Sequence, residues 1–101
     1  MVKHIVFWKL NERVTGRARD EAMRRIKDGF EAMRGLVPGL LRIEVGFNYA
    51  EGTDASDIAL YSEFESRAAL EGYQDHPAHL AMLPIVREVR TERRVVDYDA
   101  D

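Results

Sequence analysis

The chain has 101 residues, 46% of them hydrophobic and 33% charged, with a formal net charge of −3 and no cysteine. That length makes one domain, able to bury about two-thirds of its unfolded surface, and the composition is that of a soluble globular protein. The charge and the lack of a basic block argue against nucleic acid, the missing cysteines exclude disulfides and thiol chemistry and suit a reducing cytoplasm, and no stretch nears the ~20 apolar residues of a membrane span.

Val2 to Leu10 reads as a strand, with His4, Val6 and Trp8 on one face and Lys3, Ile5, Phe7 and Lys9 on the other. Lys3, His4 and Lys9 break its apolar run, and no small-residue cleavage site follows, so it is not a signal peptide. After a polar loop, Asn11 to Gly16, in which Thr15 is placed to cap, a helix is predicted from Arg17 to about Arg34. Its apolar stripe is Met23, Ile26, Phe30, Met33 and Val37, spaced by three and four. Gly35 supplies a left-handed stop, and Pro38-Gly39 closes the turn.

Leu41 to Tyr49 alternates, with Leu41, Ile43, Val45, Phe47 and Tyr49 expected on one buried face. Ala50 to Ser56 is a turn, and Asp57 to Glu65 a third strand with Ile58, Leu60, Ser62 and Phe64 together. Ser66 caps a short helix, Arg67 to Gln74, that buries Ala69, Leu70 and Tyr73. A second helix starts at Pro77 and runs through Leu80, Leu83 and Val86, with Pro84 expected to bend or end it. Glu92 to Asp99 is the last strand, Val95 and Asp97 on one face, Val96 and Tyr98 on the other.

The order strand, helix, strand, strand, helix, strand is the ferredoxin-like split βαβ plan, an α+β fold with an antiparallel sheet and helices on one face. It sets the first and last strands side by side, making His4 and Asp97 neighbours. The sheet's other face is also apolar in places and lacks cover, so a homodimer packing sheet on sheet is expected; a closed monomer is the competitor.

Acid–base chemistry concentrates in Tyr73-Gln74-Asp75-His76-Pro77-Ala78-His79. The proline bars its predecessor from helical backbone, so these side chains surround a rigid helix–helix corner. An imidazole titrates near neutral pH, and a phenol in a dry pocket stabilises oxyanion charge. In the competing structural reading, His79 braces the corner, Tyr73 is core, and Asp97 satisfies His4. A metal held by His4, His76, His79 and Asp97 is set aside, because a His-x-x-His across a proline junction is a poor template. The arginines and glutamates from Arg87 to Arg94 read as surface ion pairs.

Val2-Lys3-His4-Ile5-Val6, Val37-Pro38-Gly39, Glu44-Val45-Gly46, Tyr73 to His79, and Val95-Val96-Asp97-Tyr98 occur together and in order. This set resembles the stress-responsive A/B-barrel domain family (Dabb) of the dimeric α/β-barrel superfamily, over nearly the whole chain. The resemblance implies a homodimer and, by analogy with polyketide-cyclising members, Tyr73 and His79 as an acid–base pair with Asp97 and His4 in the same pocket. Asp97 would then orient His79, the general base for an aldol-type condensation. Val6, Trp8, Ile26, Phe30, Leu60, His76, Leu83 and Val95 would contact a small organic ligand, with bulky Trp8 narrowing the space. No cofactor and no side-chain metal site is expected, although relatives place a metal on backbone carbonyls here corresponding to Arg34, Val37 and Leu40. The resemblance equally admits a non-enzymatic stress-response oligomer or binding protein. A cofactor-independent monooxygenase-like or haem-binding role is the further alternative.

Overall fold

The computed structural model describes residues 1–100. Four strands, β1 (Val2–Leu10), β2 (Leu40–Phe47), β3 (Ile58–Phe64) and β4 (Arg90–Asp99), form an antiparallel sheet in the order β2-β3-β1-β4. Between them run α1 (Gly16–Glu31), α2 (Arg67–Asp75), α3 (Pro77–Leu80) and α4 (Met82–Val89). This is the ferredoxin-like α+β architecture.

The period-2 pattern decides which way each strand faces. Val2, His4, Val6, Trp8 and Leu10 of β1 and Ile58, Leu60, Ser62 and Phe64 of β3 are buried beneath the helices, against Ile26 and Phe30 of α1, Leu70 and Tyr73 of α2, and Met82 and Val86 of α4. Ser62, the one small polar residue among the buried β3 positions, gives its hydroxyl proton to the His4 carbonyl at 2.9 Å.

β2 departs from expectation at both ends. The register slips between Leu40 and Arg42, so Leu41 leaves the alternation and stands 51% exposed. The strand stops at Phe47, leaving Tyr49 98% exposed beyond it. Only Ile43 and Val45 are buried in this strand. As an edge strand, β2 has a free row of backbone groups, and α1 and the turns after it cover part of that row. Lys27 donates to the Val45 carbonyl at 2.6 Å, Glu31 accepts the Val45 amide at 3.0 Å, and Arg34 donates to the Ile43 carbonyl at 3.1 Å.

The helices also differ in detail. α1 ends at Glu31, and Met33 and Val37 reach the core from the turns that follow. Thr15 is the N-cap residue, but its side chain makes no capping bond. Ser66 does cap α2, accepting the Ala69 amide at 3.1 Å. The break between α3 and α4 falls at Ala81, not at Pro84. Pro84 lies in the first turn of α4, where an amide proton would have no helical partner, so it neither bends nor ends the helix.

The helices leave the other sheet face open. There Ile5 lies between Tyr61 and Val96, and Phe7 beside Ala59, with Phe7 38%, Val96 50% and Tyr98 45% exposed. No helix among the described residues is long and apolar enough to cross a membrane.

Candidate active site

The corner between α2 and α3 is built as proline chemistry requires. His76 takes extended backbone, φ −68° and ψ 138°, because the Pro77 ring forbids it the helical region. Its Nδ1 accepts the Ala78 amide at 3.0 Å, which caps α3. His76 is therefore committed to the corner and does not line the cavity, contrary to expectation. The turn it makes carries His79 back beneath α2. There the ring's Nδ1 lies 3.1 Å from the Gln74 carbonyl oxygen. A carbonyl can only accept, so Nδ1 carries the proton and Nε2 of the neutral ring keeps its lone pair.

Tyr73 comes from the inner face of α2 and is fully buried. Its ring centroid lies 4.5 Å from that of His79, 5.0 Å from Phe64 and 6.0 Å from His4. Its hydroxyl has no hydrogen-bond partner among the described residues. A buried polar atom left unpaired costs roughly 1–3 kcal/mol, and such exceptions in native proteins call for an explanation.

His4 enters from β1 and faces Asp97 across the β1–β4 ladder. Its Nδ1–H donates to the Asp97 carboxylate. Asp97 thus holds His4, and the orienting group of His79 is the Gln74 carbonyl. The expected role of Asp97 behind His79 is corrected accordingly.

Between these rings and the sheet lies a cavity of about 370 Å³, towards the small end of ligand sites. His4, Tyr73 and His79 line it together with Val6, Trp8, Phe30, Leu60 and Leu83. Trp8 and Phe30 stack on one another with centroids 5.4 Å apart, narrowing the chamber without filling it. Besides His76, three expected site residues do not line it. Ile26 is fully buried core outside the lining, Val95 is exposed beside Val6 on β4, and Asp97 lines a separate hollow near Arg67. Sequence reasoning missed Gln74, Val86, Arg87, Arg90 and Arg93, which complete the wall. The arginines recur every third residue across the helix-to-strand junction, a spacing legible in the sequence, where alternation with glutamates suggests surface ion pairs instead. None of the three has a carboxylate partner among the described residues.

Electrostatics sort the two central groups. Burial lowers the pKa of His79 below its ordinary 6.5, with the charges of His4 and Arg93 acting the same way against the Gln74 carbonyl. The ring is therefore neutral at neutral pH. Burial drives the Tyr73 phenol well above its ordinary 10, Arg93 offsetting this only in part, so it stays protonated. One group is ready to take a proton, and the other can donate a hydrogen bond.

Among the described residues no three His, Asp or Glu side chains gather as metal ligands. Of the backbone carbonyls the resemblance suggests, those of Arg34 and Leu40 belong to residues beside a surface hollow that Glu44 also borders. The Val37 carbonyl accepts the Leu40 amide at 3.2 Å, and Arg34 and Arg42 border the same hollow.

Fold and chamber together define a ferredoxin-like α+β protein with a ligand-sized space under its helices. Residues 2–100 match the stress responsive A/B barrel domain, and the chain belongs to that family. It is 36% identical over 94 residues to the uncharacterized protein SCO4036 of Streptomyces coelicolor, covering 90% of this chain and 92% of that one. A dimeric protein of unknown function and ferredoxin-like fold from Bacteroides fragilis superposes with a TM-score of 0.89 at 35% identity, over 98% of this chain and 95% of that one. Hydroxynitrile lyase from Passiflora edulis superposes at 0.81 with 17% identity, over 99% and 93% respectively, a likeness of fold alone.

Proposed function

We propose that the protein is a homodimer whose cavity binds a small organic carbonyl compound and performs acid–base chemistry on it, of the aldol or lyase type. The observation that carries this reading is the pairing of a neutral imidazole, its Nε2 lone pair free, with a buried phenol whose hydroxyl has no partner among the described residues. Nε2 of His79 removes a proton from the carbon beside a carbonyl, and the Tyr73 hydroxyl donates to the carbonyl oxygen as it becomes an enolate. The enolate carbon then bonds to a second carbonyl carbon, and the His79 imidazolium returns its proton to the oxygen released there. Run backwards, the same steps cleave a carbon–carbon bond. Trp8, Phe30, Leu60 and Leu83 exclude water around the reacting atoms.

The dimer is supported by the apolar strip on the open sheet face and by the dimeric relative from Bacteroides fragilis. A reducing compartment such as the cytoplasm is consistent with a chain that has no cysteine. The test is turnover of a panel of poly-β-keto and phenolic carbonyl compounds by the native protein and by His79→Ala. The variant is expected to lose roughly 10²- to 10⁴-fold in rate. Equal turnover by both would remove the imidazole from the mechanism. Binding without turnover by the native protein would leave a non-enzymatic binding protein.

A further inference from the structure

Among the described residues, the cavity's lining contains three arginines and two histidines but no carboxylate, in a chain with 18 acidic residues against 15 lysines and arginines. Arg87 lies in the last turn of α4, Arg90 is the residue where α4 becomes β4, and Arg93 stands opposite Trp8 on the cavity side of β4. The helix-to-strand junction thus brings residues three apart onto one side of the chamber. Arg87 and Arg93 are solvent-exposed, which places the cavity's mouth beside them. Among the described residues, Arg17, Arg19, Arg34, Arg42 and Arg67 have acidic partners, while these three, like Arg13, Arg24, Arg25 and Arg94 outside the cavity, have none. Cationic side chains of one sign around a cleft focus the field there and favour an entering anion. Deeper in, the Tyr73 hydroxyl is an independent polar group without a partner among the described residues.

We infer that the ligand of this cavity is an organic anion, its carboxylate or phosphate held by Arg87, Arg90 and Arg93 at the mouth and its apolar body lying against Trp8, Phe30 and Leu83. An oxygen of that body then meets Tyr73. This rests on the reading of the cavity as a ligand site and names the class of molecule it takes. The guanidinium fork matches both oxyanions in shape, and it is least hydrated among the cationic side chains, so it binds them well at a half-open site. The charge of Arg93 also reaches both Tyr73 and His79, whose pKa values it lowers after the larger effect of burial. An anion docked there would weaken that influence and raise the basicity of His79 as it binds.

The test uses Trp8, the chain's sole tryptophan and a cavity-lining residue, as a fluorescent reporter, backed by calorimetry. The probes are 2-naphthoate, 2-naphthyl phosphate and the neutral 2-naphthamide, with 3-phenylpropanoate and its amide as a smaller pair. At least one anion is expected to bind roughly tenfold or more tightly than its neutral counterpart, the worth of one charge-assisted hydrogen bond, and the better of the two headgroups identifies the oxyanion. That preference should shrink when salt rises from about 0.05 to about 0.5 M, a measurement that needs no variant. Replacing Arg87, Arg90 and Arg93 together by Gln should bring the ratio near one, because the anions lose far more affinity than the amides. Equal affinity of anion and amide for the native protein, or a preference unchanged in the triple variant, overturns the inference and leaves the cavity as a site for neutral molecules. If no probe of either kind binds, the ligand-site reading fails, and this inference fails with it.

Discussion

At the scale of single residues, the chamber separates two protonation jobs by environment. His79 is held neutral chiefly by burial, with the charge of Arg93 acting the same way, and its proton is fixed on the nitrogen facing Gln74. A group whose folded pKa is depressed works above that pKa and is lost as pH falls through it. The acid limb of activity, read from kcat/KM against pH, should therefore lie below 6.5 and be absent in His79→Gln. Tyr73 is shifted the other way, so its donor proton survives to alkaline pH, and activity should not fall until above 10. An acid limb above 6.5, or an alkaline loss near 9, would assign the chemistry to other groups. The expectation that Asp97 serves His79 fails because two histidines compete for one carboxylate, and the β1–β4 register hands it to His4.

At the scale of elements, Gly39 positions α2, which carries Tyr73. It has φ +79°, and a Cβ placed there would come 2.5 Å from the Cβ of Ala69. The Gly39 carbonyl also accepts the Glu65 amide at 2.9 Å, tying the start of β2 to the residues just before the helix. Gly35 has a similar φ, +75°, with open space around it. Gly35→Ala should cost about 1–2 kcal/mol for the left-handed backbone alone. Gly39→Ala should cost roughly 2–4 kcal/mol, because overpacking against α2 is added. Urea denaturation at one protein concentration measures both. Equal losses would mean that the contact with Ala69 does not constrain the helix.

At the scale of the whole molecule, the sheet divides its two faces between different tasks. The face under the helices holds the core and the chamber, while Ile5, Phe7, Tyr61, Val96 and Tyr98 lie on a face the helices do not cover. Light scattering at micromolar concentration should give a species of twice 11.6 kDa, and Val96→Glu, which sets a charge in the middle of that strip, should shift it to 11.6 kDa. A native protein of 11.6 kDa would refute the pairing. If the Val96→Glu monomer keeps its ligand, the chamber belongs to one chain alone.

Local chemistry made much of this protein legible from its residues in order. Period-2 and period-3.6 patterns placed the strands and helices, Ser66 marked a helix start, and Pro77 forced the corner around which Tyr73 and His79 are set. Those effects act within a few residues and need no knowledge of what lies across the fold. The slip at Leu41, the commitment of His76 to its own cap, the Gln74 carbonyl behind His79, and the convergence of Arg87, Arg90 and Arg93 on one mouth were decided by the tertiary structure. Each depends on competition among distant groups for the same partner or the same space, and only the assembled fold settles which one wins.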